Sequence, residues 1–243
     1  MSSKVILIIA MLLGVPAIVI FLITGGEQVS SLLESTPIDA ATQQITDMTN
    51  QLKPLASKKK NIDQILKTKK CFGCNIRGID LSGIDLTGAD FRNSDLSGAN
   101  LTDTKMIDAN LQGVRLNDAN LTKADLHGAQ FDNSELKGAN LTDANLFNAR
   151  FSNADLSNAN LKGSELRDAD LIGSQLQNAN FTGAFLYGTR LQEANLTGTD
   201  FSSARMRYAN LRDATLESTN FSGADLEFAV MPDGTTVYGT TKY

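Results

Sequence analysis

The stretch 95-DLSGANL-101 decides the fold of this chain, because its two leucines, Leu96 and Leu101, lie five positions apart. A helix repeats about every 3.6 residues and a strand about every 2, so neither element explains this spacing. The spacing continues without a break, since every fifth residue from Ile76 to Leu226 is apolar. A backbone with this period must turn a corner after each apolar residue.

The other positions of the unit support this interpretation. The residue two before each apolar centre is nearly always Ala, Ser or Thr, and the exceptions are Cys74, Ile79, Ile84 and Val114. Asn or Asp usually precedes the centre, and the second residue after it is mostly Gly, Asn, Asp or Ser, which suit turns. We therefore predict square coils of 20 residues, stacked as a parallel ladder about 4.8 Å apart. The centre and the small residue would point inward, and the other three residues would point to solvent.

The phenylalanines support this 20-residue coil. Phe91, Phe131 and Phe151 share one side of the square, whereas Phe181, Phe201 and Phe221 share the opposite side. The large rings thus lie on one side in the early coils and on the opposite side in the later coils. The two sides never carry them in the same coil, as close packing requires. The predicted fold class is all-β, a quadrilateral parallel β-helix.

The run ADLSNANLKGSELRDADLIGS, from Ala154 to Ser174, resembles the pentapeptide repeat family, whose motif is A(D/N)LXX. The resemblance covers about two-thirds of the chain and implies a right-handed quadrilateral β-helix over residues 71–231. The fragment TKKCFGCNIRGIDLSGIDL looks like the entry to such domains in many cyanobacterial members. Members of the family are mostly of unknown function and are not enzymes, and a few are acidic DNA mimics that protect gyrase.

The amino-terminal run Val5–Ile23, VILIIAMLLGVPAIVIFLI, contains no charged residue. As a helix with a rise of about 1.5 Å per residue, it is long enough to cross a bilayer. We predict a transmembrane anchor over residues 5–23; the alternative is a cleaved signal peptide, for which Thr24-Gly25-Gly26 is a poor cleavage site. Lys4 favours a cytoplasmic amino terminus, which would place the solenoid in the periplasm or the thylakoid lumen.

Three segments connect and close the solenoid in this interpretation. Residues 24–60 are a polar spacer that ends in Lys58-Lys59-Lys60, which would alternatively touch lipid headgroups. Residues 61–70 are predicted to form a capping helix, with Asn61 as its N-cap and lysines in its last turn. Residues 232–243 form a carboxy-terminal tail, which begins with the turn Pro232-Asp233-Gly234.

Cys71 and Cys74 form a C-x-x-C motif with three interpretations. A redox motif would need a thioredoxin-like context, which is absent from the sequence pattern. A zinc site would need two more ligands, and His127 alone cannot supply them. The third interpretation is structural, with both residues in the first coil, and in an oxidising compartment the pair would close as a disulfide.

Aromatic and arginine side chains concentrate on one predicted side of the square. The candidate residues are Ile107, His127, Phe147, Arg167, Phe185, Tyr187, Arg205, Arg207, Tyr208 and Phe228. Every outward aromatic side chain of the coils is predicted to lie here. Exposed aromatic residues and arginine are the composition of a protein interface. The alternative is that the rings and guanidinium groups stack on one another and stabilise the coils.

The charge of the chain limits its function. The formal net charge is −5, which opposes non-specific binding of nucleic acid. Outward rows such as Asp95, Arg115 and Glu135 alternate in sign between coils, which opposes the unbroken acidic rows of a DNA mimic. No Gly-rich phosphate loop or catalytic constellation is present, so we predict no cofactor, no metal, no small-molecule substrate and no enzymatic activity.

The leading hypothesis is a membrane-tethered scaffold that binds a protein partner, in a membrane complex, through the aromatic and arginine side. The alternative is a DNA mimic that binds a type II topoisomerase. The sequence leaves the oligomeric state open, including a homo-oligomer.

Overall fold

Parallel β-bridges join residues that lie 20 positions apart, from Lys70↔Asp90 to Asn210↔Val230. The computed structural model describes residues 63, 65 and 67–239, which fall within one compact unit, Lys60–Tyr243. A bridge occurs at every fifth residue, and each strand is only one bridge residue long. The predicted coil of four five-residue sides is therefore confirmed.

Each side of the square follows the same hydrogen-bond pattern. The Leu121 N–H donates to the carbonyl of Asn140 at 2.7 Å, and the Asn140 N–H donates to the carbonyl of Ala119 at 2.9 Å. Within one coil, the Ala124 N–H donates to the carbonyl of Leu121 at 3.0 Å and closes the corner. Backbone groups thus find partners in the neighbouring coils and at the corner, as buried amides require.

The corner residue, two after each centre, has a positive φ on every side of the coils, and the residue before it does not. This is the pattern of a type II turn, and it explains the preference for Gly, Asn and Asp at this position. At Gly188 a Cβ would also lie 2.5 Å from Oδ1 of Asp168 in the coil before, so a side chain there would require the Asp168 carboxylate to move. Six corners carry other residues, and two of these are aromatic, since Tyr208 and Phe228 hold φ values of 60° and 63°.

The core is a column of the apolar centres and the small residues two before them. The centres from Ile76 to Leu211 and nearly all the small residues of those coils are buried. The inward phenylalanines stack along the axis, with ring centroids 4.6 Å apart for Phe131 and Phe151, and 4.9 Å apart for Phe181 and Phe201. The predicted packing of large side chains on alternate walls therefore agrees with the structure.

The expectation that all other side chains point to solvent is wrong for several acids. The side chains of Asp95, Asp132 and Asp170 are at most about 10% exposed. Each lies beneath an arginine of the next coil: Asp95 pairs with Arg115 at 3.0 Å, for example. These acids are covered because the long arginine side chain lies along the wall and shields the shorter carboxylate from water.

The amino-terminal end of the solenoid includes the helix α1, which is helical at Asp63, Ile65, Lys67 and Thr68. The Lys69 N–H donates to the carbonyl of Ile65 at 2.7 Å, and the positive φ of Lys69 ends the helix. The Ile65 side chain is fully buried and belongs to the same apolar cluster as the coil centres. The capping function of residues 61–70 stays a prediction.

At the carboxy-terminal end the chain turns and runs back on itself. The Gly234 N–H donates to the carbonyl of Met231, and an antiparallel bridge then joins Val230 to Thr236. The Val237 side chain is buried at this end of the core. The sequence predicted the turn but not the return, because no periodic pattern marks these residues.

The predicted anchor at residues 5–23, the spacer at 24–60 and the N-cap Asn61 lie outside the described residues. Among the helices that the structure does describe, none combines the length and hydropathy needed to cross a membrane.

Candidate protein-binding site

The ladder places the ten predicted residues on one side of the coil, which we call the aromatic wall. Its outward rows are Asp85, Lys105, Asp125, Asn145, Glu165, Phe185, Arg205 and Asp225 before the centres, and Thr87, Ile107, His127, Phe147, Arg167, Tyr187, Arg207 and Glu227 after them. Tyr208 and Phe228 occupy the following corner. The centres behind these rows are Leu or Met, so the rings of this wall lie outside the core.

In the amino-terminal half of the aromatic wall, side chains stack from coil to coil. His127 meets the Phe147 ring edge-on, with centroids 5.0 Å apart. The Arg167 guanidinium lies 5.6 Å from the Phe147 ring centroid, and its Nε donates to Glu165 Oε1 at 2.7 Å. The Arg167 guanidinium thus finds both a ring and a carboxylate partner within the wall.

In the carboxy-terminal half, four rings form a continuous strip. Tyr187 and Tyr208 have centroids 5.1 Å apart, Tyr208 and Phe228 4.9 Å, and Phe228 and Tyr238 6.2 Å. Tyr187 and Tyr208 are 46% and 47% exposed, and Tyr238 is 75% exposed, so the strip leaves much ring surface accessible. Sequence reasoning missed Tyr238, because only the return of the tail brings it here.

The arginines of this half differ in their partners. Arg207 lies 3.9 Å from Asp225, pairs with Glu227, and also stacks 5.7 Å from the Phe228 centroid. Arg205 stacks on Phe185 at 4.8 Å but has no carboxylate within salt-bridge distance among the described residues. Arg205 is therefore the arginine of this wall that makes no ion pair within the described residues.

A shallow groove of about 560 Å³ runs between the two rows in this half. It is lined by Glu165, Arg167, Phe185, Tyr187, Arg205, Arg207 and Asp225. Concave surface with a few aromatic and charged groups is typical of a binding site. The amino-terminal members of the predicted set, Ile107, His127 and Phe147, lie on the same wall but do not line the groove.

Both interpretations of the aromatic wall have support in these contacts. The rings and guanidinium groups do stack on one another, as the alternative expects, yet Tyr187 and Tyr208 stay about half exposed. The expectation that all outward aromatics of the coils share one wall is wrong, because Phe72 is 65% exposed on a different wall beneath Arg92. Phe72 lies in the first coil, and no aromatic residue follows it in its row, so the sequence pattern does not mark it.

The adjoining side, which we call the asparagine wall, has a different chemistry. Its rows are Asp80, Asn100, Asn120, Asn140, Asn160, Asn180, Asp200 and Asn220 before the centres, and Ser82, Thr102, Thr122, Thr142, Lys162, Thr182, Ser202 and Ser222 after them. Thr142 Oγ1 donates to Asn140 Oδ1 at 2.6 Å, and Asn140 Nδ2 donates to Thr122 Oγ1 at 3.0 Å. Hydroxyls and amides thus bond to one another along the wall.

Hydrogen bonds also lower the pKa of several aspartates of the solenoid. Burial alone would raise the pKa of Asp95, but hydrogen bonds from Ser97, Arg115 and Arg77 outweigh it and hold the pKa well below its usual range. Hydrogen bonds from Thr87 and the partner Lys69 lower the pKa of Asp85 to about 2. Such carboxylates are structural anions rather than candidates for proton transfer near neutral pH.

In the first coil, Cys71 and Cys74 are joined by a disulfide, with Cα atoms 5.4 Å apart. Ser94 of the next coil accepts a hydrogen bond from the Cys74 N–H at 3.0 Å and donates one to the carbonyl of Cys71. Within the part of the chain that the structure describes, no group of three or more His, Cys, Asp or Glu side chains could hold a metal ion.

Comparison with family models matches the repeats throughout the solenoid. A model described as "Pentapeptide repeat region" matches residues 69–146 and 104–181. A second, "Pentapeptide repeats (8 copies)", matches residues 169–207, 184–223 and 209–232. Together the matches cover more than half of the 243 residues. A search of curated proteins finds no match.

Solved structures with this architecture include several repeat proteins. QnrB1, a plasmid-mediated fluoroquinolone resistance protein, is 18% identical, with a TM-score of 0.60 over 70% of this chain and 89% of its own. A protein from the Arabidopsis thaliana thylakoid lumen is 33% identical, with a TM-score of 0.40 over 40% of this chain and 68% of its own. HetL, involved in heterocyst differentiation regulation in the cyanobacterium Nostoc, is 27% identical, with a TM-score of 0.29 over 72% and 97%. At its identity, the QnrB1 likeness shows the fold alone.

Proposed function

The chain belongs to the pentapeptide repeat family, and from this premise we propose that it is a membrane-tethered, non-enzymatic scaffold whose aromatic wall binds a protein partner. Pentapeptide repeat proteins form right-handed quadrilateral β-helices and are generally structural or binding scaffolds. The observation that carries the proposal is the exposed ring surface of Tyr187 and Tyr208 beside a groove that Arg205 and Arg207 line. Tyr and Arg, together with Trp, are enriched among the residues that dominate binding energy at protein interfaces.

A pull-down with variants of the full chain tests this proposal. We expect Phe147→Ala, Tyr187→Ala and Arg207→Ala to reduce recovery of the partner while the circular dichroism spectrum stays unchanged. Phe72→Ala is the matched control, because Phe72 is an exposed ring on another wall beneath an arginine. Recovery that is unaltered in all three wall variants, or equally reduced in the control, would remove the proposal.

The tether is supported by the uncharged run Val5–Ile23, and the position of the solenoid outside the cytoplasm is supported by Lys4. Protease treatment of sealed vesicles, with an antibody to the carboxy terminus, tests both. Loss of the epitope only after the membrane is opened would place the solenoid in the enclosed compartment. Extraction of the full chain by salt or carbonate without detergent would show that no helix anchors it.

The DNA-mimic alternative is opposed by the inter-coil ion pairs. Asp95 is flanked by Arg77 at 3.2 Å and Arg115 at 3.0 Å, and Arg150 pairs with Asp132 at 3.0 Å. Each pair interrupts a row of negative charge that would be needed to imitate a phosphate backbone. Inhibition of gyrase supercoiling by the full chain would reverse this conclusion.

A further inference from the structure

We infer that the partner of the aromatic wall presents an acidic segment, with a carboxylate that pairs with Arg205 and a neighbouring apolar side chain that packs on Tyr187 and Tyr208. The inference rests on the proposed function and adds the chemistry of the partner and the part of the wall where it docks. Four features of the described residues point to the carboxy-terminal half of the wall.

The first feature is the uneven pairing of two neighbouring arginines. Arg205 and Arg207 flank the same centre, Met206, and the next coil carries two acids at the equivalent positions, Asp225 and Glu227. Both acids turn to Arg207, which lies 3.9 Å from Asp225 and pairs with Glu227. Arg205 is left without an acid although its own ladder partner is Asp225.

The second feature is the position of the Arg205 guanidinium. It lies 4.8 Å from the Phe185 ring centroid, and its side chain makes no hydrogen bond to another described residue. A guanidinium carries five N–H donors in a planar fork that matches a carboxylate, and stacking on a ring limits its freedom before the partner arrives. Arg205 is therefore a preorganised receptor for an anion.

The third feature is the charge of the groove. Its lining contains three arginines, Arg167, Arg205 and Arg207, but only two acids, Glu165 and Asp225. Glu165 pairs with Arg167, and Asp225 and Glu227 both lie beside Arg207, so among the described residues Arg205 is the lining arginine without an acid within salt-bridge distance. The complement of this unpaired guanidinium on a partner is a carboxylate.

The fourth feature is backbone strain at the corner of the same coils. Tyr208 and Phe228 hold φ values of 60° and 63°, where bulky residues are uncommon and Gly, Asn or Asp occupy most other corners. Strained residues persist where the surrounding structure holds them, and they concentrate at functional sites. These two strained corners hold the Tyr208 and Phe228 rings, which continue the ring strip from Tyr187 at the edge of the groove.

Peptide titration of the full chain, purified in mild detergent, tests the inference. The probes are synthetic peptides without Tyr or Trp that alternate Glu with Leu, and matched peptides with Gln or Lys in place of Glu. The chain has no Trp and only 4 Tyr, two of which are Tyr187 and Tyr208, so quenching of tyrosine fluorescence reports binding at the strip. We expect the Glu peptide to bind at least about tenfold more tightly than the Gln peptide.

Variants of Arg205 assign that preference to one side chain. Arg205→Gln is expected to remove the preference for the Glu peptide, and Arg205→Glu to reverse it in favour of the Lys peptide. Arg92→Gln is the matched control, since Arg92 lies 5.5 Å from the Phe72 ring on another wall, and it should leave the preference intact. A preference that survives Arg205→Gln, equal binding of Glu and Gln peptides, or no binding of the Glu peptide would overturn the inference.

The ring variants separate failure of this inference from failure of the proposed function. If Tyr187→Ala and Tyr208→Ala abolish partner recovery while Arg205→Gln does not, the wall binds a partner of different chemistry. If none of the three changes recovery, the proposed function itself fails. Arg205-dependent binding of the full chain to vesicles of anionic lipid, with no binding of the Glu peptide, would assign the guanidinium to a membrane surface and contradict the inference.

Discussion

The asparagine wall and the aromatic wall adjoin each other and share the same backbone geometry, yet their side chains interact differently. On the asparagine wall, Asn160 Nδ2 donates to Thr142 Oγ1 at 3.0 Å, and Thr142 in turn donates to Asn140. On the aromatic wall, rings stack but keep exposed surface, and Arg205 has no acid within salt-bridge distance among residues 67–239. A wall whose polar groups are satisfied internally stabilises the rod, whereas a wall with unused surface and charge is available to a partner.

The same contrast appears in where each wall keeps its rings. The centres behind the asparagine wall become Phe181, Phe201 and Phe221 in the later coils, and these rings stack inside the core. The later centres of the aromatic wall are Leu186, Met206 and Leu226, and the rings lie outside. Rings inside the core contribute to stability, whereas rings on the aromatic wall provide exposed surface that a partner could contact.

The largest effect should come from an inward ring. Phe201 is fully buried between Phe181 and Phe221, with centroids 4.9 Å and 5.5 Å away. We expect Phe201→Ala to lower the free energy of unfolding by about 3–5 kcal/mol, because it leaves a cavity in the column. Phe185→Ala on the aromatic wall should cost about 1 kcal/mol or less. Urea denaturation of both variants checks this, and equal losses would contradict the division between the walls.

The next effect should come from the polar ladder. Asn140 accepts from Thr142 at 2.6 Å and donates to Thr122 at 3.0 Å, so Asn140→Ala leaves two hydroxyls with fewer partners. We expect a loss of about 1–3 kcal/mol. Arg167→Ala, its counterpart on the aromatic wall, removes an exposed ion pair and a stacking contact with Phe147, and should change stability by about 0–1 kcal/mol. Denaturation curves that rank the two variants the other way would break the comparison.

Acid should weaken the asparagine wall through Asp200. Burial acts to raise its pKa, but hydrogen bonds from Ser202, Thr182 and Asn220 outweigh it and lower the pKa. The folded pKa thus lies below the unfolded value of about 3.9, so the carboxylate stabilises the fold above about pH 4. This contribution is lost as the pH falls through the folded pKa.

We therefore expect Asp200→Asn to be less stable than the wild type at neutral pH, and the two curves to converge as the pH falls through the folded pKa of Asp200. Thermal unfolding of both proteins across this range measures the difference. A gap that stays constant with pH would show that Asp200 titrates alike in the folded and unfolded chains.

The smallest effect should be a gain. Lys162 stands where the neighbouring coils of the asparagine wall carry Thr142 and Thr182, and only its backbone N–H contacts Asn160, at 3.2 Å. Lys162→Thr would restore the missing hydroxyl, and we expect a gain of about 0.5–1 kcal/mol. Lys105→Thr on the aromatic wall has no such ladder to complete and should give no gain. A shift in the urea midpoint distinguishes the two.

Much of the fold could be predicted from the sequence because one rule governs it. A period of five with small residues two before each centre allows few backbones, and the positions of Phe131, Phe151 and Phe181 select the 20-residue coil. The membership of the aromatic wall follows by counting, since a ladder carries each residue directly onto the one 20 positions later. Periodicity therefore predicts which residues share a wall.

Details that depend on side-chain conformation could not be predicted in this way. The burial of Asp95 beneath Arg115 depends on how a long side chain lies along the wall. Both Asp225 and Glu227 lie at Arg207, so that neither pairs with Arg205, and residue spacing does not predict this. Tyr238 joins the ring strip only because the tail returns after Gly234, outside the repeat.

Hydroxyl-radical footprinting of the full chain, with and without its partner, tests the central claim most directly. The account predicts that the partner protects Tyr187 and Tyr208 from labelling, while Phe72, an exposed ring on another wall, is labelled equally in both samples. Protection of Phe72 with unchanged labelling of the two tyrosines would contradict it, as would a stable complex in which no residue of the aromatic wall is protected.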